Sequence, residues 1–140
     1  MAALHPVTFE FILANELKRA VRSQNFVTLG MIEPRSIDRR SAAEEIARLV
    51  DRELRETDLL AVEGDAVWMV LLDADLQNST RVIERVICRL EHYEFTVPLD
   101  VDLGLACCPT HGADAGTLKR AAAATRTRVA QSCSEGAAHA

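Results

Sequence analysis

Residues 55–72 read RETDLLAVEGDAVWMVLL, and this stretch decides the fold. Two short β-rich apolar runs, Asp58–Val62 and Val67–Leu72, flank Glu63-Gly64-Asp65. Glycine and aspartate supply turn chemistry between strands, so the stretch predicts a hairpin. Its tip carries two carboxylates, Glu63 and Asp65, which fit either an acidic site or an ordinary polar turn.

Working outward, residues 41–56 show a capping box, Ser41 with Glu44 three places on, followed by an apolar face of Ile46, Leu49, Val50 and Leu54. Upstream of that helix, 26–33 is an apolar run ended by Pro34, which predicts a strand. Phe9, Phe11, Ile12, Leu17, Ala20 and Val21 recur near helical spacing, which predicts a first helix over 7–23. Downstream, Val82, Ile83, Val86, Ile87 and Leu90 give a helix over 78–93, so the sequon-like Asn78-Ser79-Thr80 reads as its start. Residues 98–109 alternate like a strand, and the Ala-rich 113–131 predicts a last helix with Arg120, Arg126 and Arg128 on an exposed face. The order αβαββαβα contains a βαββαβ core. It predicts an α+β sandwich of ferredoxin-like, palm-type architecture, with helices on one face of an antiparallel sheet and extra N- and C-terminal helices. One domain over 7–131 is expected, with 132–140 as a loose, flexible tail.

Composition narrows the partners. The chain has 140 residues, 49% hydrophobic and 26% charged, with a net charge of −5. Such a chain is globular, and its acidity argues against duplex nucleic acid as a partner. Its longest apolar runs are too short for membrane insertion, and "MAALHPVTFEF" is unlike a secretory signal. Cys88, Cys107, Cys108 and Cys133 form no CxxC pair, and His5, His92, His111 and His139 add no zinc spacing, so neither a metal nor a cofactor is expected. Adjacent Cys107 and Cys108 on a strand point to opposite faces, which suits a reduced, cytoplasmic protein.

The hairpin stretch resembles the signature of bacterial GGDEF domains, the diguanylate cyclases that make the signalling molecule cyclic di-GMP. That signature is R-x-x-D, five residues, then G-G-D/E-E-F and an apolar strand. Arg55 and Asp58 match it, and Gly64 falls on the first motif glycine without a gap. Asp65, Ala66, Val67 and Trp68 occupy the remaining four motif places. "VIERVICRL" is similar to the A-E-R-I-R helix of the family, and "VDLGLACCPTHGAD" resembles its V-S-I-G-I-A-x-x-P-x-D-G-x-D strand and loop. The resemblance extends over roughly residues 9–130 and implies the family's fold.

The resemblance implies degenerate chemistry. Family cyclases join two GTP molecules across a dimer with two metal ions, held by carboxylates at the end of the first strand and in the hairpin. Glu33 falls within a residue or two of the first of those places, but Ala66 and Val67 leave both acidic places of the hairpin empty. Asp65 replaces the second glycine and sets a negative charge beside the phosphate position. "EPRSIDRRSAAEE" lacks the family's D-x-D-x-F-K and N-D-x-x-G-H, and "AAAATRTRV" lacks the Asp, Tyr and Lys of its last helix. No catalytic residue and no enzyme activity is therefore expected. A relocated metal site from Glu33 with Glu63 or Asp65 is the alternative to plain turn residues.

The R-x-x-D motif is also the family's inhibitory site for cyclic di-GMP. Arg55 and Asp58 fill it, Arg85 matches the arginine of A-E-R-I-R, and Arg81 lies one turn earlier on the same face. An arginine fork donates to guanine O6 and N7 or pairs with phosphate, and an aspartate accepts from guanine N1 and N2. The expected function is that of an inactive GGDEF-like regulatory domain that receives cyclic di-GMP through Arg55, Asp58, Arg81 and Arg85. The alternative is a pseudo-enzyme that binds no nucleotide and acts through protein–protein contact, with a signalling partner or as a homodimer. Trp68 is expected in the core or a subunit contact.

Overall fold

The computed structural model describes residues 3–35, 38–95 and 97–130. The expected tail, 132–140, and Cys133 and His139 within it, lie outside the described residues. The elements are α1 (Pro6–Ser23), β1 (Val27–Pro34), α2 (Arg39–Asp51), β2 (Leu59–Glu63), β3 (Ala66–Leu72), α3 (Leu76–His92), β4 (Asp100–Cys108), α4 (Ala115–Ala124) and β5 (Thr127–Ala130). The sheet order is β2-β3-β1-β4-β5, and every adjacent pair is antiparallel. The first four strands carry the ferredoxin-like order, with β1 in the centre. No helix among the described residues is long and apolar enough to cross a membrane.

Strand alternation divides the core in two, because successive side chains leave opposite faces of the sheet. On one face Ile32, Val67, Met69, Val101 and Leu103 meet Ile46 and Val50 of α2 and Ile83, Val86 and Leu90 of α3. On the other, Val27, Leu29, Val70 and Ala106 meet Phe9, Leu13 and Leu17 of α1 and Leu118 and Ala122 of α4. The helices of the βαββαβ core thus share one face, as expected, while the two terminal helices roof the other. Phe9, Leu13 and Leu17 are almost wholly buried, each contributing about 1.5–3 kcal/mol by transfer from water. Gly104 sets the closeness of the second layer: a Cβ there would meet the Ala122 carbonyl oxygen of α4 at 1.9 Å.

Three helices begin with an aspartate cap. Asp38, Asp75 and Asp114 each accept a hydrogen bond from the backbone N–H three residues on, Ser41, Asn78 and Thr117. This corrects the expected cap at Ser41, which lies inside the first turn of α2. That helix also ends at Asp51 rather than 56. The Asn78-Ser79-Thr80 stretch is in the first turns of α3, with Ser79 buried.

The larger correction is at the C-terminal end. The helix expected over 113–131 stops at Ala124, and Thr127–Ala130 is a fifth strand. Thr125, Thr127 and Val129 are β-branched, and Thr125 Oγ1 bonds both the N–H and the carbonyl of Leu105, at 3.2 and 3.0 Å. Arg126 and Arg128 then find carboxylates on β4 and β1 that a continued helix would leave behind. Local alanine propensity yields to strand pairing and charge.

Candidate functional site

The β2–β3 connection is a two-residue turn, because Glu63 pairs with Ala66 across it. Gly64 takes φ +64° with open space around it, the first-position glycine of a tight hairpin turn. Asp65 is exposed, Ala66 and Val67 are buried, and Trp68 is half-buried against the α1/α4 face. The side chains of Ala66 and Val67 carry no group that binds a metal or hydrogen-bonds a base.

One row of residues crosses the sheet at this end. Glu63 lies beside Ala66, and Glu33 lies beside Asp102, which lies beside Arg128. One step beyond the Ile32–Val67 pair, Glu33 comes beside Ala66. Glu33 and Glu63 are therefore two strands apart, about 9–10 Å at ordinary strand spacing, with a neutral Ala66 between them. Each carboxylate faces a cation. Lys119 of α4 binds Glu63 at 2.8 Å and also Glu10 of α1, while its ammonium lies 5.1 Å from the Trp68 ring centre. Arg126 binds Glu33 and approaches Asp102 at 3.6 Å. Arg35 reaches Asp102 at 3.1 Å, and Arg128 holds Asp100 through two bonds of 2.8 and 2.9 Å.

The electrostatics follow from these pairs. Partial burial alone would lower the Lys119 pKa, but the hydrogen bonds to Glu10 and Glu63 outweigh it and raise the pKa above the ordinary lysine value. The hydrogen bonds from Arg128 hold Asp100 below the usual carboxylate range. Such a set does not fit a pair of divalent ions: the hairpin supplies no side-chain oxygen at Ala66 or Val67, and Glu33 and Glu63 each already meet a cation. The relocated site from Glu33 with Glu63 or Asp65 is not assembled, since no three acidic, His or Cys groups converge among the described residues.

At the opposite end of the hairpin strands lies the Arg55–Asp58 corner. Asp58 is 2% exposed and accepts four hydrogen bonds: from Arg55 N at 3.0 Å, Arg55 Nε at 3.3 Å, Arg55 Nη2 at 3.1 Å and Leu72 N at 3.2 Å. Arg55 Nη2 also donates to the Leu72 carbonyl at 2.5 Å. The motif therefore ties the loop after α2 to the end of β3. The hydrogen bond to Asp58 raises the Arg55 pKa further, so this guanidinium carries a fixed charge. Its side chain remains 58% exposed.

Arg81 and Arg85 share the outer face of α3 and are exposed. Arg85 reaches Glu53 at 3.5 Å, and Arg89 reaches the same carboxylate at 2.5 Å. Glu53 thus links the α3 arginines to the loop that carries Arg55. The pairs that form are Arg55 with Asp58, and Arg85 with Glu53. Arg81 forms no ion pair among the described residues. His111 Nδ1 accepts from the Cys107 N–H at 2.8 Å and closes the turn after β4.

Sequence reading missed Lys119, Glu10, Asp100, Asp102 and Arg89. A signal existed for part of this: Asp100 and Asp102 alternate on one strand, and Arg126 and Arg128 alternate at the same period of two. It becomes readable only once residues 127–130 are known to be a strand.

No family model and no curated protein matches the chain, whereas solved structures do. The GGDEF domain of YfiN (TpbB) from Pseudomonas aeruginosa superposes with a TM-score of 0.72 at 21% identity, covering 88% of this chain and 87% of that one. A DGC protein from Thermotoga maritima gives 0.77 at 13% identity, covering 90% and 97%. A microbial GGDEF domain studied in its interaction with cyclic di-GMP gives 0.65 at 22% identity, covering 87% and 84%. Identities this low speak for the architecture alone, and over nearly its whole length this chain has the fold of GGDEF domains.

Proposed function

We propose that the chain is a catalytically inactive regulatory domain with the GGDEF fold, acting by binding rather than by turnover. One observation carries this reading. The hairpin end holds alanine and valine where metal-binding carboxylates are needed, and the acids nearby, Glu33 and Glu63, are neutralised by Arg126 and Lys119. Losing one preorganised electrostatic contact typically costs about 10²–10³ in rate, and several are missing here. Incubation with GTP and Mg²⁺ tests it: no cyclic di-GMP is expected, and measurable product overturns the reading.

The proposed ligand is cyclic di-GMP, received at the Arg55 corner with Arg81 and Arg85 on the neighbouring helix. Support comes from the exposed guanidiniums of Arg55 and Arg81 and from the structural neighbour studied with that nucleotide. In this arrangement Asp58 is a positioning residue. It aims the Arg55 fork and is too buried to read a guanine edge itself. Calorimetric titration is expected to show binding that Arg55→Ala abolishes, while no heat at ~100 µM removes the ligand from the reading.

A second reading is that the domain binds no nucleotide and works through protein contact, and the saturation of Asp58 favours it. The same titration separates the two. A cytoplasmic location is proposed with either, on the adjacent unpaired thiols of Cys107 and Cys108.

A further inference from the structure

The groove between the C-terminal end of α2 and the outer face of α3 holds about 570 Å³ and is lined by cations. Arg52 comes from the α2 side, and Arg85, Arg89 and His92 come from α3. One carboxylate answers them: Glu53 bridges Arg85 and Arg89. Arg52 forms no ion pair among the described residues, and neither does Arg81, one turn before Arg85. Arg81, Arg85 and Arg89 stand four residues apart, so like charges repel along one row of α3. The other acids of α3 do not relieve this. Glu84 and Glu91 stand about 100–120° around the helix from Arg85, outside the groove lining, and no ion pair joins Glu84 to Arg81. On a chain of net charge −5, the row is a local concentration of positive charge that the fold leaves largely unanswered.

We propose that this groove docks an acidic α-helix of a partner protein, with carboxylates one turn apart set against the arginine row. The pitch selects the occupant. Four residues of helix rise about 6 Å, so a partner helix with an acid at every fourth position meets the row one for one. A phosphate group needs donors that converge on one point, whereas these cations are strung along roughly 12 Å of helix. Glu53 already shows the contact: one carboxylate is shared by two guanidiniums a turn apart, at 3.5 and 2.5 Å. Leu49 and Tyr93 give the groove an apolar floor, against which a helix can lay its own apolar residues.

The proposal gives the protein-contact reading a partner chemistry and rests on that reading. Arg85 is common to the groove and the proposed nucleotide corner, while Arg52 and Arg89 belong to the groove alone. Glu53 is the intramolecular competitor that an arriving carboxylate must displace.

Two stapled, alanine-based peptides of equal composition serve as probes. One carries glutamate at every fourth position along one face, and the other spreads the same glutamates around the helix. The staple keeps both helical, since short helices fray and glutamates four apart repel. Fluorescence anisotropy with the whole chain at low salt is expected to show the in-register peptide binding at least about fivefold more tightly, as a few exposed ion pairs provide. Arg89→Glu is expected to weaken that binding about tenfold by setting like charge against the peptide. Glu53→Gln is expected to tighten it about threefold by freeing two arginines, a gain that damage to the fold does not produce. Arg55→Ala should leave it unchanged. Equal binding of the two peptides, or no binding of either, overturns the proposal. So does binding that fails to weaken in Arg89→Glu, fails to tighten in Glu53→Gln, or is lost in Arg55→Ala. Each of these failures leaves the nucleotide titration and the GTP assay to stand on their own results.

Discussion

Two charged regions lie at opposite ends of the same hairpin, and they use charge in opposite ways. At the turn end, Glu63, Glu33, Asp102 and Asp100 each meet a cation brought by α4, the link after it, β5 or the residue after β1. Most of these groups are partly exposed, so the pairs are individually weak, and their effect is to cancel charge where an active GGDEF domain would gather ions. At the other end, a single carboxylate, Asp58, is buried and saturated, while its arginine stays largely in solvent. The first region is neutral outward and adds little stability. The second is a structural tie that leaves a fixed positive charge facing solvent.

Removing Asp58 breaks that contrast most severely. Asp58→Ala leaves the Arg55 and Leu72 N–H groups without their partner in a buried loop, and a loss of about 3 kcal/mol is expected in urea unfolding. A loss below about 1 kcal/mol would show that the tie is decorative. The layer spacing behind both regions is probed by Gly104→Ala. The added methyl collides with the Ala122 carbonyl, pushes α4 outward, and is expected to cost about 1–3 kcal/mol. The same shift should carry Lys119 away from Trp68 and alter the tryptophan fluorescence.

Smaller effects are expected in the carboxylate row. Arg126→Ala should cost about 0.5–1 kcal/mol, as partly exposed pairs do, and should create no cyclase activity, because Ala66 and Val67 remain. Product formation in this variant would mean that Arg126 alone silences the site. The pH dependence has a definite sign. Arg128 depresses Asp100, so the contribution of Asp100 to stability is present above its ordinary pKa of 3.8 and is lost as pH falls through the lower folded value. The stability gap between wild type and Asp100→Asn should therefore be constant from pH 7 to about 5 and close below pH 3.8. Arg55→Ala takes the counter-charge and two side-chain hydrogen bonds from the buried Asp58 carboxylate, so a stability loss of about 1–3 kcal/mol accompanies it. Its readout is the nucleotide titration, where the effect is expected to be complete.

Much of the architecture was legible because its signals are local. A glycine-centred turn between two apolar runs gives the hairpin, and 3.6-residue spacing gives α1, α2 and α3. The emptiness of the motif at Ala66 and Val67 is likewise a matter of reading residues in place. The Arg55–Asp58 pair was legible as a motif but not as a geometry. Spacing brings the two together, yet only the approach of the Leu72 backbone shows that Asp58 points inward. The end of α4 misled for a related reason. Alanine runs favour helix over any neighbourhood of a few residues, and the carboxylates that meet Arg126 and Arg128 as the chain turns into β5, Glu33 and Asp100, lie 93 and 28 residues away in sequence.

By itself the sequence determined the order of the elements from α1 to β4, the hairpin and the presence of alanine and valine at positions 66 and 67, since each depends on residues close together along the chain. Tertiary structure alone decided that the terminal helices roof the second face of the sheet. It also decided that Lys119 and Arg126 pair with Glu63 and Glu33 and that Asp58 serves the backbone. Those outcomes depend on which distant charges and donors are brought within 3 Å, and burial makes each such encounter obligatory for one partner and optional for the other.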